Sequence, residues 1–228
     1  ARRAAGPGQI AWDPAAGRLD PAALEGFDVV VHLAGSNIGA GRWTPERKTE
    51  ILASRVDGTR LLATALAGLT RKPRALLVAS GAGYYGDRGD APLTEADAGG
   101  TGFLADVCRA WEAAAAPARD AGIRTVHLRT GVVLAPRDGA LAKMLPPFRL
   151  GLGGPIGSGQ QVMSWVALED VVGAYHHAAF DDALAGPVNL VAPGAVTSAA
   201  FAHGLGTVLH RPAFLPLPAL AVEAAFGE

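Results

Sequence analysis

Cysteine occurs once in the 228 residues, as Cys108, which excludes an intrachain disulfide. A single thiol suits a reducing compartment, and a cytoplasmic protein is expected. Charge is also scarce: 18% of residues are charged and the net charge is −1, leaving no general attraction to nucleic acid or an anionic membrane. No apolar run approaches the roughly 18 residues that a bilayer requires, so neither a membrane span nor a signal peptide is expected. The six histidines supply no ligand set, because His176 and His177 are adjacent and point apart on a helix. No structural metal is expected. The chain opens on Ala1-Arg2-Arg3 without an initiator methionine, as a fragment or a processed start would.

What is present is apolar and rhythmic. Half of the chain is hydrophobic, which fits a globular α/β protein and argues against disorder. Short β-branched runs alternate with Ala/Leu-rich stretches, the pattern of β-α-β units around a parallel sheet. Strands are expected at Gln9–Trp12, Asp28–Leu33, Arg74–Ala79, Arg124–Leu128, Val162–Val166 and Val188–Val191. The second and third of these are nearly all apolar, as strands covered on both faces are. A long helix should follow the cap Thr44 and the helix-starting Pro45, running to about Leu66. A second covers about Phe103–Ala121, kinked or shortened by Pro117. Others are expected near Leu141–Leu150, Glu169–Phe180 and Ser198–Leu209.

A dinucleotide-binding sheet normally begins with a strand, a glycine-rich turn and a helix whose amides hold the pyrophosphate. Nothing before Gln9 fits that unit. Gly151–Gly159 has nearly the right spacing, but a helix end precedes it and a strand follows it. It is expected instead to be a mobile loop by a substrate cleft.

Seven motifs occur in order: Gly6–Asp13, Val31-His32-Leu33-Ala34-Gly35, Ser80–Gly86, Cys108–Glu112, Leu128–Leu134, Gly151–Gly159 and Ser164-Trp165-Val166. Together they resemble the YfcH-like epimerase family, an atypical branch of the extended short-chain dehydrogenases. The resemblance runs along nearly the whole chain and implies truncation at both ends. The fold it implies is a Rossmann-type doubly wound parallel sheet with a small C-terminal substrate region, its first strand and Gly-rich loop absent. Residues 1–135 would form the NADP-binding core, incomplete at its N-terminus. Residues 136–228 would form a mixed region of substrate-side loops and part of a C-terminal lobe. Pairing of two copies through the helices Thr44–Leu66 and Phe103–Ala121 would give a homodimer.

The resemblance also implies a cofactor, NADP(H). Arg2 and Arg3 would sit where such folds select the adenosine ribose and could grip a 2′-phosphate. Each charge-assisted bond is worth roughly 1.5–3 kcal/mol, a preference for NADP of about tenfold or more. Two solvated terminal arginines are the alternative. Leu33, Ala34 and Gly35 would let the backbone approach the ribose and adenine, with Val133 beside the nicotinamide. Asp13 would accept the adenine amino group, although Asp13-Pro14 is equally an ordinary turn start. Glu50 and Arg55 would border the cofactor; a surface ion-pair role stands beside that reading.

Related enzymes use Tyr-x-x-x-Lys, in which the lysine lowers the tyrosine pKa for proton exchange with the substrate. Aligned on Glu112, this chain has Leu104 and Cys108 at those positions. Loss of a positioned acid typically costs 10²–10⁴-fold, so keto reduction by that route is doubtful. Tyr85 and Ser80 remain as catalytic candidates, with packing an equal reading for Tyr85. Ser80 suits hydrogen bonding better than attack, since no His–acid pair accompanies it. Arg42, Gln160, Ser164 and Trp165 are expected to wall a pocket for an unknown small molecule, and Cys108 is expected in the core. The resulting expectation is an NADP(H)-dependent oxidoreductase or epimerase-like enzyme; the alternative is a non-catalytic NADP(H) sensor or scaffold.

Overall fold

The structure is a computed structural model that describes residue 6 and residues 8–218. In chain order the strands are β1 (Trp12–Asp13), β2 (Arg18–Leu19), β3 (Val29–His32), β4 (Ala75–Gly81) and β5 (Arg124–Thr130). They continue as β6 (Val132–Leu134), β7 (Val162–Met163), β8 (Trp165–Ala167), β9 (Gly186–Leu190) and β10 (Val196–Thr197). The helices are α1 (Pro45–Ala67), α2 (Phe103–Ala113), α3 (Ala116–Asp120), α4 (Gly139–Arg149), α5 (Leu168–Phe180) and α6 (Ser198–Leu209). Strands β3, β4, β5 and β9 lie side by side in that order, all parallel, as a Rossmann-type doubly wound sheet.

The two-residue period of β4 divides the core. Leu76 and Val78 face α1, α2 and α3, where they join Ala63, Leu66, Trp111 and Ala118. Ala75 and Leu77 face the other way, with Val126, Leu128 and Ala178 of α5. Layers on both faces force helices onto both sides of the sheet. Helix α1 begins as its sequence dictates: the Thr44 side chain accepts from the Arg47 amide, and Pro45 needs no donor.

Several expectations require correction. Gln9–Trp12 is not a strand of the main sheet; only Trp12–Asp13 is extended, and it pairs antiparallel with Arg18–Leu19. Asp13 caps a short 3-10 turn at Pro14–Ala16, and Gly17 at φ 62° then turns the chain back. The strand after Asp28 is not covered on both faces, for Val31 is 47% and Leu33 63% exposed. The run Val162–Val166 is two strands, not one. Val162–Met163 pairs with β10, whereas Trp165–Ala167 pairs with β6, the switch lying at Ser164. The run Phe103–Ala121 likewise divides, with Pro117 at the start of α3, where a missing N–H costs nothing.

The loop 151–159 is tied by backbone hydrogen bonds to residues 215 and 217. Gly153 accepts from the Leu215 amide, Pro155 from Leu217, and Gly157 donates to Leu217. The segment passes so close that a Cβ on Gly154 would run into the Leu215 carbonyl. Among the described residues no helix is long and apolar enough to cross a membrane.

Candidate functional site

Open parallel sheets bind ligands beyond the carboxyl ends of their strands. Here those ends carry a polar row, because Ser80 of β4, Arg129 of β5 and Asn189 of β9 are register partners across three strands. The alternation of β5 turns Thr125, His127 and Arg129 away from the Val126–Leu128 core and toward α2. Helix α2 answers with Glu112. Arg129 Nε and Nη2 each donate to a Glu112 carboxylate oxygen at 2.9 Å. Their side chains are 4% and 13% exposed, so the pair is desolvated and geometrically bidentate.

The pair anchors further groups. Ser80 Oγ donates to Glu112 Oε1 at 2.7 Å. Tyr85 ends the 3-10 turn Ala82–Tyr85; its hydroxyl donates to Asn189 Oδ1 at 2.6 Å and accepts from Arg129 Nη1 at 3.0 Å. The Tyr84 ring lies 3.4 Å from the Arg129 guanidinium carbon. Glu95 accepts from the Asn189 amide at 2.7 Å. Burial opposes the Arg129 charge, but hydrogen bonds to Glu112 and Tyr85 overcome it and hold the guanidinium above its usual range. His127, on the same face, is pushed down by burial.

This geometry gives Tyr85 and Ser80, the catalytic candidates, a structural role as well. Both residues are buried, 4% and 6% exposed, and both hydroxyl protons have partners within the protein. Leu104 packs against the turn at Gly83. Cys108 is buried, and its sulfur lies 3.6 Å from where a Cβ on Gly81 would stand. Burial pushes the Cys108 thiol up, with Glu112 acting in the same direction and Arg55 against it.

The second half of the site is the end of β3. Leu33, Ala34 and Gly35 leave the sheet at its carboxyl edge, and the Arg55 guanidinium carbon stands 3.1 Å from the Cβ position of Gly35. A side chain at this position would require the Arg55 guanidinium to shift by a few tenths of an ångström. Arg55 donates to the carbonyls of Ser36 and Ile51 at 3.0 and 3.2 Å, and its guanidinium stacks 5.0 Å from the Trp111 ring centre. Burial lowers its pKa, Cys108 opposes this, and the Arg47 charge adds to the lowering. Glu50 accepts from Ser36 Oγ at 2.7 Å and pairs with Arg47 at 2.5 Å. Gly35, Glu50 and Arg55 therefore converge around Ser36. The ion pair of Glu50 is with Arg47, a residue that sequence reasoning missed.

An apolar cleft of about 230 Å³ runs beside this strand end, lined by Trp12, Val31, His32, Leu33 and Ala34 among others. Trp12 Nε1 and His32 Nε2 are buried there without hydrogen-bond partners. Burial alone pushes His32 down to about 4. Asp13 adjoins the cleft through Trp12, but its carboxylate accepts from Arg18 at 2.9 Å and from the Ala16 amide at 3.3 Å. That arrangement is the turn-start alternative. Arg2 and Arg3 lie outside the described residues.

On the other side, Val133 of β6 pairs with Val166, and the Ser164 carbonyl accepts from the Val132 amide. Trp165 Nε1 donates to the Gly194 carbonyl at 3.2 Å. The structure thus gathers Val133, Ser164 and Trp165, while Arg42 and Gln160 are exposed on separate loops. Arg129, Glu112 and Asn189 escaped the sequence reading as site residues. The available signal was an arginine inside an apolar strand, which demands a buried acid. Among the described residues no three His, Cys, Asp or Glu side chains gather to hold a metal ion.

The family model described as NAD dependent epimerase/dehydratase matches residues 16–190. The epimerase family protein Mb2239 of Mycobacterium bovis is 46% identical over 220 residues, covering 96% of this chain and 72% of the relative. The crystal structure of human epimerase family protein SDR39U1 with NADPH superposes with a TM-score of 0.89 at 40% identity, covering all of this chain and 76% of that one. A nucleoside-diphosphate sugar epimerase from Corynebacterium glutamicum gives a TM-score of 0.78 at 38% identity, over 98% of this chain and 47% of that one.

Proposed function

Because the chain belongs to the NAD dependent epimerase/dehydratase family, we propose that it binds NADP(H) and serves an oxidoreductase or epimerase-like reaction on a small molecule. The carrying observation is the convergence of Arg55, on the Ser36 carbonyl, and Glu50, on the Ser36 hydroxyl, just after β3 ends at Gly35. The half-buried Arg55 guanidinium beside Gly35 supplies positive potential for a dinucleotide at the strand end. The NADPH held by the human relative supports the choice of cofactor.

Within this proposal the cofactor contacts are Leu33, Ala34, Gly35, Glu50, Arg55 and Val133, with Arg2 and Arg3 selecting the 2′-phosphate and Asp13 at the adenine. Ser164 and Trp165 face the substrate side, with Arg42 and Gln160 farther out. Residues 1–135 act as the cofactor-binding part and 136–228 as the substrate part. The YfcH-like branch assignment and a homodimer through α1 and α2 belong to the same proposal.

When bound, the nicotinamide would supply hydride transfer. The chain's own share is to bind and orient it and to keep water from the strand ends. The usual Tyr-x-x-x-Lys positions hold Leu104 and Cys108, so Tyr85 and Ser80, within the buried Ser80–Glu112–Arg129–Tyr85 network, are the hydroxyls left to exchange a proton. Loss of the usual pair favours a second reading, a sensor or scaffold that holds NADP(H) without turnover.

Parallel titration with NADPH and NADH, read by nicotinamide fluorescence, tests the cofactor proposal. The expected result is a tenfold or greater preference for NADPH, lost when Arg2 and Arg3 are replaced by Ala, with affinity for both cofactors falling in Arg55→Ala. Equal affinity for both, or none for either, overturns it. A panel of carbonyl compounds and nucleotide sugars then separates the two readings: product formation selects the enzyme. No product, together with a partner interaction that depends on cofactor redox state, selects the sensor.

A further inference from the structure

Four consecutive carbonyls beyond the β3 end each accept a side-chain hydrogen bond. Arg55 donates to Ser36 at 3.0 Å, Arg47 to Asn37, Trp43 Nε1 to Ile38 at 2.8 Å and Lys143 Nζ to Gly39 at 2.8 Å. A surface loop ordinarily gives such carbonyls to water and moves freely. Here each peptide plane of residues 36–39 is tied to a donor. Three of the donors come from the adjoining stretch 43–55, Trp43 just ahead of α1 and Arg47 and Arg55 within it. The fourth does not: Lys143 belongs to α4, 104 residues from its acceptor.

Helix α4 follows β6, packs against β6 and α6, and lies within residues 136–228, the part proposed above for the substrate. The loop 36–39 begins one residue after Gly35, on the cofactor side. We propose that Lys143 is a positioning residue that couples the two: cofactor seated at Gly35 steadies the loop, and the ammonium carries that order to α4. The inference rests on the cofactor proposal above. Its physical content is a contiguous path from Gly35 through the peptide planes of 36–39 to the α4 backbone. A charge-assisted bond of this kind shifts a local opening equilibrium by about tenfold or more. Lys143 is exposed, so its substitution should leave folding intact.

The test is amide hydrogen exchange of the protein with and without saturating NADPH, for the wild type, Lys143→Arg and Lys143→Met, with affinity measured on the same samples. NADPH should slow exchange across residues 36–41 in all three. Across 139–149 it should slow exchange in the wild type and Lys143→Arg, and about tenfold less in Lys143→Met. NADPH affinity should be nearly unchanged in Lys143→Met. Bound NADPH with no protection of α4 in the wild type, or equal protection in Lys143→Met, overturns the coupling alone. No NADPH binding by the wild type sinks the cofactor proposal, and the coupling falls with it.

Discussion

Arg129 and Glu112 meet through two parallel contacts of 2.9 Å, one residue from the middle of the sheet and the other from the helix laid over it. Neither charge reaches bulk water to any extent, and each supplies the partner that makes burial of the other tolerable. Removing one side strands the other. Arg129→Ala and Glu112→Ala should each lower unfolding free energy by about 3–5 kcal/mol. The double variant Arg129→Met, Glu112→Leu should recover much of that. Urea denaturation decides the matter, and additive losses in the double variant would refute the pairing as the source.

Tyr85 offers a sharper contrast between chemistry and packing. Its hydroxyl bridges Asn189 and Arg129, so Tyr85→Phe should cost about 1–3 kcal/mol of stability by leaving buried partners unmatched. Any turnover found for the protein should change by less than about tenfold. A fall of 10²–10⁴, as for a lost general acid, would place Tyr85 in the reaction.

Much of this architecture was legible beforehand, and the exceptions share a cause. Thr44-Pro45 announced α1, the apolar run ending at Ala79 announced β4, and Ser198–Leu209 matched α6 at both ends. Those signals are local. Partner choice is not: nothing in Val162–Val166 says that Met163 and Trp165 serve different strands, since Ser164 acquires its role only when Val132 arrives. The site divides the same way. Gly35 and Arg55 could be singled out from the chain and do lie together, whereas the partner of the Tyr85 hydroxyl could not, because Asn189 stands over a hundred residues away and decides where that hydroxyl points.

Acid should weaken the fold through His32. Its folded pKa is about 4 because it is buried, below the 6.5 of an exposed imidazole. Between those values the unfolded chain binds a proton that the native protein refuses, so stability is complete above pH 6.5 and declines as pH falls toward 4. The loss attributable to this residue approaches about 3 kcal/mol. Thermal melts at pH 7 and pH 4.5 should converge for His32→Leu relative to the wild type. An unaltered pH dependence in that variant would assign the effect elsewhere.

Gly154 should resist any side chain. Because its Cβ position is taken by the Leu215 carbonyl, Gly154→Ala forces the loop and the segment around Phe214 apart. A cost of about 1–3 kcal/mol follows, several degrees in melting temperature for a chain of this size. Gly157→Ala would be strained for a different reason, its φ of 54°. Calorimetry of the Gly154 variant showing an unchanged midpoint would mean that the loop yields without resistance.

The thiol of Cys108 lies within electrostatic reach of both Arg55 and Glu112. An engineer hoping to graft the missing lysine there by C108K would set an ammonium against a half-buried guanidinium. The acid that might have offset the intruder is already committed to Arg129. Reviving the usual dehydrogenase chemistry in this scaffold therefore demands dismantling its cation arrangement first, and a two-residue transplant at 104 and 108 will not suffice.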